Sequence, residues 1–183
     1  MLRKSKLIGL VAFSLGLFLL AKPTYFYLKG ICAQLMLDKA WNITKRTGKS
    51  SKAWSWADTL PVAKLKISSI GLNQIVLDGE ISEALAFGPA IIASSLESSN
   101  KIIAGHRDSF FRNLKKIQEG DVVELELIGK NIRYKIKSMV ITTPEDAKWL
   151  NEKEDEMITL ITCYPFNYMG DAPLRYIAIG TKI

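Results

Sequence analysis

The sequence predicts a mainly β domain, an antiparallel barrel or sandwich of seven or eight short strands, behind an N-terminal transmembrane helix. Three features carry that reading. Apolar and polar residues alternate with period two through several runs after residue 60. Gly, Pro, Asn and Asp punctuate those runs at turn positions. A charge-free apolar stretch lies close to the N-terminus behind Arg3, Lys4 and Lys6. The 183 residues suffice for one domain with a hydrophobic core and some additional sequence.

The apolar stretch runs from Leu7 to Ala21, and Lys22 and Pro23 follow. That length alone is short of the roughly 20 residues a helical span needs. Lys22 can snorkel, and Tyr25, Phe26 and Tyr27 have the character of an interfacial aromatic belt, which extends the span to residues 7–28. Around Leu19 to Thr24 only Ala21 is small, so a signal-peptidase site is missing and an uncleaved signal anchor is expected over residues 1–28. The basic flank then faces the cytoplasm and the remainder lies outside it. Residues 29–41 have the spacing of a juxtamembrane helix, and 42–57 the Ser- and Lys-rich composition of a linker. Trp54 and Trp56 either reach the membrane interface or cap the core.

Charge divides at the same place. Residues 1–60 hold 10 Lys and Arg against 2 Asp and Glu, whereas residues 61–183 hold 15 against 16. The net charge of +7 therefore belongs to the membrane-proximal segment. The body has no basic excess from which to build a nucleic-acid-binding face, and no nucleic-acid partner is expected.

The domain, residues 58–183, opens with Val62–Ile67, where Ala63, Leu65 and Ile67 alternate with Lys64 and Lys66 as a half-buried strand. A turn at Ser69-Ile70-Gly71 leads into a strand over 73–77, closed by Asp78-Gly79. Glu80–Phe87 reads as a brief helix stopped by Gly88 and Pro89. Lys101–Ala104 is a short apolar strand ending at Gly105-His106. Val122–Ile128 and Asn131–Lys137 alternate on either side of Gly129-Lys130 and predict a hairpin. Pro144–Leu150 predicts one or two helical turns, and Met157–Thr162 and Leu174–Thr181 the last two strands.

Chemistry concentrates at three positions. Cys163 ends a β-branched strand and precedes a Pro- and Gly-containing loop. A lone Cys is commonly a buried structural thiol, but an unpaired thiol kept outside the cytoplasm risks oxidation and so usually has a reason. The other cysteine, Cys32, lies beside the anchor, and no disulfide between them is expected. His106 is the sole imidazole, so any thiol–imidazole mechanism must use it. Arg175 faces the Cys163 strand if the last two strands form a hairpin, and a guanidinium that never loses its proton is a dependable partner for an oxyanion. One His and two distant Cys make no zinc ligand set. Together the three residues support acyl transfer: thiolate attack, protonation of the departing amine by the imidazolium, and oxyanion stabilisation by Arg175.

At these residues the chain resembles the sortases. Thr159-Leu160-Ile161-Thr162-Cys163 resembles their TLxTC signature, Ala104-Gly105-His106-Arg107-Asp108 the segment around their histidine, and Leu174-Arg175-Tyr176 the strand bearing their arginine. Residues 54–67, 84–90 and 162–176 are similar to the sortases of Gram-negative, often marine, proteobacteria (class GN). The resemblance implies an eight-stranded sortase-type β-barrel with short helices. It implies a cysteine transpeptidase that cleaves an LPxTG-like signal near a partner protein's C-terminus through a thioacyl-enzyme, then transfers the product to an amine acceptor of unknown identity or to water. It further implies that Ala104, Ile161 and Thr162 line the peptide groove and that Asp108 orients the loop after His106. No cofactor is expected, and no metal, because the acidic calcium ligands of some sortases have no match here. The implied location is the inner membrane, single-pass, with the catalytic domain periplasmic. Two other readings compete: an L,D-transpeptidase-like thiol acyltransferase, whose Cys stands in a different local context, and a non-catalytic anchored β-domain.

Overall fold

The computed structural model describes residues 2–78, 81–150 and 155–183, and leaves outside that description the side chains of residues 2–5, 7, 8, 11, 12, 22, 23, 26, 27, 29–31, 81, 93 and 150. Its first element, α1 (Leu2–Thr47), is one unbroken helix of 46 residues. Leu10, Phe13, Leu17, Phe18 and Leu20 are exposed along its first half. Among the described residues no helical stretch is long and apolar enough to cross a membrane.

The second half of α1 departs from expectation. Residues 42–47 are helical, so the linker predicted over 42–57 begins only after Thr47. The cause is tertiary: Ala33, Leu37, Ala40, Trp41 and Thr44 are buried and recur at helical spacing, which makes a stripe that the polar residues around it conceal in sequence. Leu37 and Trp41 pack with Ile75, Leu77, Ala84 and Ala90. Asp38 pairs with Lys64 at 3.0 Å, Lys45 pairs with Glu126, and the Gln34 amide donates to the Phe87 carbonyl. Beyond the helix, Trp54 lies edge-on to Phe87 with ring centroids 5.0 Å apart, while Trp56 is 78% exposed.

Eight strands follow: β1 (Leu60–Ile67), β2 (Leu72–Asp78), β3 (Ala90–Ile91), β4 (Asn100–Ala104), β5 (Val122–Leu127), β6 (Lys130–Thr142), β7 (Met157–Tyr164) and β8 (Leu174–Lys182). They close into a barrel in the order β1-β2-β3-β4-β7-β8-β6-β5. Closure decides between the barrel and the sandwich. It also corrects the antiparallel expectation, because β2 pairs with β3 and β4 with β7 in parallel. Parallel neighbours need a long crossover; the one from β4 to β7 carries the β5–β6 hairpin. That hairpin is as predicted, with Gly129 at φ 69° in its turn. β6 continues to Thr142, past the alternation that suggested an end at Lys137. A register shift between Ile136 and Ser138 breaks the period of two in mid-strand. With two residues, β3 is too short to show any period.

One face of each long strand fills the interior. Ala63, Leu65, Ile67, Ile103, Val123, Leu125, Ile132, Ile136, Ile158, Leu160 and Ala178 are buried together with Phe111, Leu114 and Ile117 from the segment after β4. The predicted helix over 80–87 is α2 (Ile81–Ala84), and Glu80 lies outside the described residues. The turns predicted over 144–150 are a short 3-10 helix, Ala147–Leu150.

Candidate active site

Strand register assembles the site. Ala104 is the partner of Ile161 in the parallel β4–β7 pair, and the Gly105 N–H extends the ladder by donating to the Ile161 carbonyl at 3.0 Å. The next residue on each strand adds a side-chain tie: the Thr162 hydroxyl donates to the Gly105 carbonyl at 2.7 Å. The residues after these are His106 and Cys163. On the other flank of β7, Cys163 is directly opposite Arg175 in the antiparallel β7–β8 pair. Side chains of opposed residues share a face with Cβ atoms about 4.5–5.5 Å apart. Leu160 and Ala178, an opposed pair in the core, fix the inward face, so Cys163 and Arg175 stand on the outward one. The structure thus brings His106, Cys163 and Arg175 to adjacent strand ends at one rim of the barrel.

His106 is exposed, and Cys163 and Arg175 are half-buried. Arg175 Nη1 donates to the carbonyls of Ala172 and Leu174 at 3.1 and 3.0 Å, so the backbone at the start of β8 aims the guanidinium. The carbonyl of His106 accepts from the N–H of Phe111 at 3.0 Å and anchors the turn that follows it. Tyr164, Phe166 and Tyr176 form an aromatic triangle with centroids 5.1 to 6.3 Å apart, and burial raises the Tyr176 phenol above its ordinary value.

Of the residues expected in the peptide groove, Ala104 and Ile161 are half-buried register partners, and Ile161 shares the face of Cys163 two residues before it. Thr162, expected in the same groove, faces the barrel interior. It is 3% exposed, lies on the inward face, and spends its hydroxyl on Gly105. Period-two alternation makes Thr162 and Cys163 point oppositely, a consequence that motif resemblance hides.

Asp108, expected to orient the loop after His106, pairs with Arg107, which in turn reaches the loop after β7. Arg107 Nε and Nη2 donate to the two Asp108 carboxylate oxygens at 3.0 and 2.9 Å, and its Nη1 donates to the Pro165 carbonyl at 2.9 Å. The Arg107 hydrogen bond, with further help from the charges of Arg107, Arg112 and His106, holds the Asp108 carboxyl below the usual carboxylate range, and Asp108 in turn raises Arg107. Arg107 and Gly105 stand in the segment that resembles the sortase histidine region, but the sequence assigns them no role, because nothing marks an Arg beside a surface His as buried. Asp146 carries no signal of a role in the sequence either. Asp146 Oδ2 accepts from the Thr142 hydroxyl at 2.7 Å and from Trp149 Nε1 at 3.3 Å, knotting the β6–β7 connection to the strand residue opposite Arg175. Among the described residues, no group of three or more His, Cys, Asp or Glu is placed to hold a metal ion.

A closed barrel that sets a thiol opposite a guanidinium, with an imidazole at the end of the neighbouring strand, has the parts of a thiol-nucleophile enzyme. The family described as Sortase domain matches residues 65–183, and the chain belongs to the sortase family. It is 31% identical over 123 residues to Sortase D of Bacillus subtilis (strain 168), covering 65% of this chain and 62% of that relative's length. Among solved structures it is similar to a Clostridium perfringens Sortase D5 transpeptidase, with TM-score 0.60 and 25% identity over 67% of this chain and 79% of that one. Sortase C-1 from Actinomyces oris is similar as well, with TM-score 0.61 and 26% identity over 67% of this chain and 74% of that one.

Proposed function

We propose that this protein is a membrane-anchored cysteine transpeptidase that cleaves an LPxTG-like sorting signal near the C-terminus of a partner protein. The observation that carries the proposal is the register that opposes Cys163 to Arg175 and sets His106 at the end of the strand beside Cys163. The Cys163 thiolate attacks the scissile carbonyl carbon, and Arg175 stabilises the oxyanion. The His106 imidazolium gives its proton to the departing amine as the C–N bond breaks, leaving a thioacyl-enzyme. An incoming amine or water then attacks the thioester carbon, its proton passes to His106, and the thiolate leaves. Ala104 and Ile161 form the groove floor for the signal. The transpeptidase named among the similar structures supports this chemistry over an L,D-transpeptidase-like or non-catalytic reading.

The anchor is α1, whose exposed Leu10, Phe13, Phe18 and Leu20 follow a basic flank, with the catalytic barrel on the extracytoplasmic side. An inner-membrane location facing the periplasm is part of this proposal and rests on the expected resemblance of residues 54–67, 84–90 and 162–176 to Gram-negative sortases. The test is incubation of the full chain with LPxTG-type peptides, with and without amine acceptors, followed by mass spectrometry of products and enzyme. A thioacyl adduct on Cys163 is expected, absent in Cys163→Ala. Cleavage that persists in Cys163→Ala would exclude this mechanism.

A further inference from the structure

Arg107 is a buried cation that takes no part in the acyl-transfer steps above. Its side chain is 7% exposed, whereas that of Asp108 is 70% exposed. Burying a guanidinium is unfavourable unless its donors are met. Here the fork onto Asp108, with Nε and Nη2 at 3.0 and 2.9 Å, fixes the plane of the group. The remaining edge then points across to the other loop, where Nη1 reaches the Pro165 carbonyl at 2.9 Å, two residues beyond Cys163. On the opposite side of His106 and Cys163 the same two segments are already joined, by Gly105 N–H to Ile161 and by the Thr162 hydroxyl to Gly105. His106 and Cys163 are therefore bracketed before and after. The leading bracket is strand ladder and one hydroxyl; the trailing one is Arg107.

We infer that Arg107 is a positioning residue that sets the approach of His106 to Cys163 by bridging the loop after β4 to the loop after β7, with Asp108 as the backing that orients it. The inference uses the thiol–imidazole pair of the proposed function and does not depend on the sorting motif.

The test uses the full chain carrying Cys32→Ser, so that Cys163 is its one thiol. Alkylation of Cys163 by iodoacetamide, and kcat and KM for a cleaved peptide, are measured per titratable thiol well below each variant's Tm. Arg107→Met is expected to slow alkylation about tenfold and kcat about 10²-fold, the scale of a small misplacement of catalytic groups, with KM within about threefold. Arg107→Lys, which keeps the charge and a single reach, recovers part of the loss, and Asp108→Asn falls between. In a His106→Ala background Arg107→Met has no further effect, because the residue acts through the imidazole. Wild-type alkylation by Arg107→Met per folded thiol, or an undiminished effect without His106, overturns the inference. If Arg107→Met does not fold, Arg107→Lys and Asp108→Asn carry the same comparison. If no peptide is cleaved by the parent protein, the alkylation arm decides alone.

Discussion

A Cβ built on Gly105 would lie 2.6 Å from Cγ and 2.7 Å from a Cδ of Phe111, a ring that is fully buried and so has nowhere to move. The sequence shows a glycine before the histidine without saying why, since the close approach joins residues on different faces of a turn. Overpacking of this kind costs about 1–3 kcal/mol, so Gly105→Ala should lower Tm by roughly 2–10 °C in a chain of this size and displace His106 with its loop. Differential scanning calorimetry and kcat per folded thiol check both parts; a Tm within 1 °C of the parent would show that the ring yields. Arg175→Lys tests the opposed residue. Lysine keeps the charge but loses the fork held by the Ala172 and Leu174 carbonyls. Turnover should fall about 10²-fold with KM nearly unchanged, and unaltered turnover would remove Arg175 from the chemistry. His106 and Cys163 stand out as candidates because the chain has one imidazole and two thiols. Arg175 is one of six arginines and is singled out only by its predicted place opposite Cys163. Arg107 was not legible, because burial is a property of neighbours.

At the scale of elements, the β6–β7 connection and α1 each hang on a few contacts. The hydrogen bond from Lys148, followed by that from Thr142, depresses the Asp146 carboxyl from 3.8 to about 2. A carboxyl whose folded value lies below its unfolded one contributes stability above the unfolded value and loses it as pH falls through the folded one. The knot should therefore hold at pH 4 and above and loosen as pH drops towards 2. Trp149, which donates to Asp146, reports it: its fluorescence should change over that window in the parent and be flatter in Asp146→Asn. Equal slopes in both proteins would disconnect Asp146 from the segment. For α1, Trp41 and Leu37 are the fully buried anchors. Truncating a buried Trp typically costs about 3–5 kcal/mol, enough to detach the helix end from the barrel. Trypsin should then cut Trp41→Ala after Lys49 or Lys52 at least about tenfold faster while near-UV dichroism of the barrel persists; equal cleavage rates would mean that the ion pairs with Lys64 and Glu126 suffice. Strands with clean alternation, such as β1 and β5, were legible from their own residues. The helical end of α1 was not, because its stripe is apolar only where the barrel covers it, and β6 was cut short by its bulge.

For the whole molecule, the unbroken α1 joins the apolar N-terminal run to the barrel without a flexible segment. From Leu28 to Leu37 is about 14 Å of helix at 1.5 Å per residue, so an anchored chain would hold its catalytic rim at one height and orientation. Full-length protein should stay with vesicles after alkaline carbonate washing, and protein lacking residues 1–28 should not, while both keep an alkylatable Cys163. Release of the full chain would remove the anchor and leave the chemistry standing. What the sequence by itself determined is whatever repeats locally: a mainly β domain, the β5–β6 hairpin and the basic apolar N-terminus, with residue type naming the thiol and the imidazole as candidates for the chemistry. Only the tertiary structure decided that the sheet closes, that β4 and β7 run parallel, that Thr162 turns inward, and that Arg107 spans two loops. Each of these joins residues far apart in the chain, and no local period or composition records which distant segment a strand or side chain will meet.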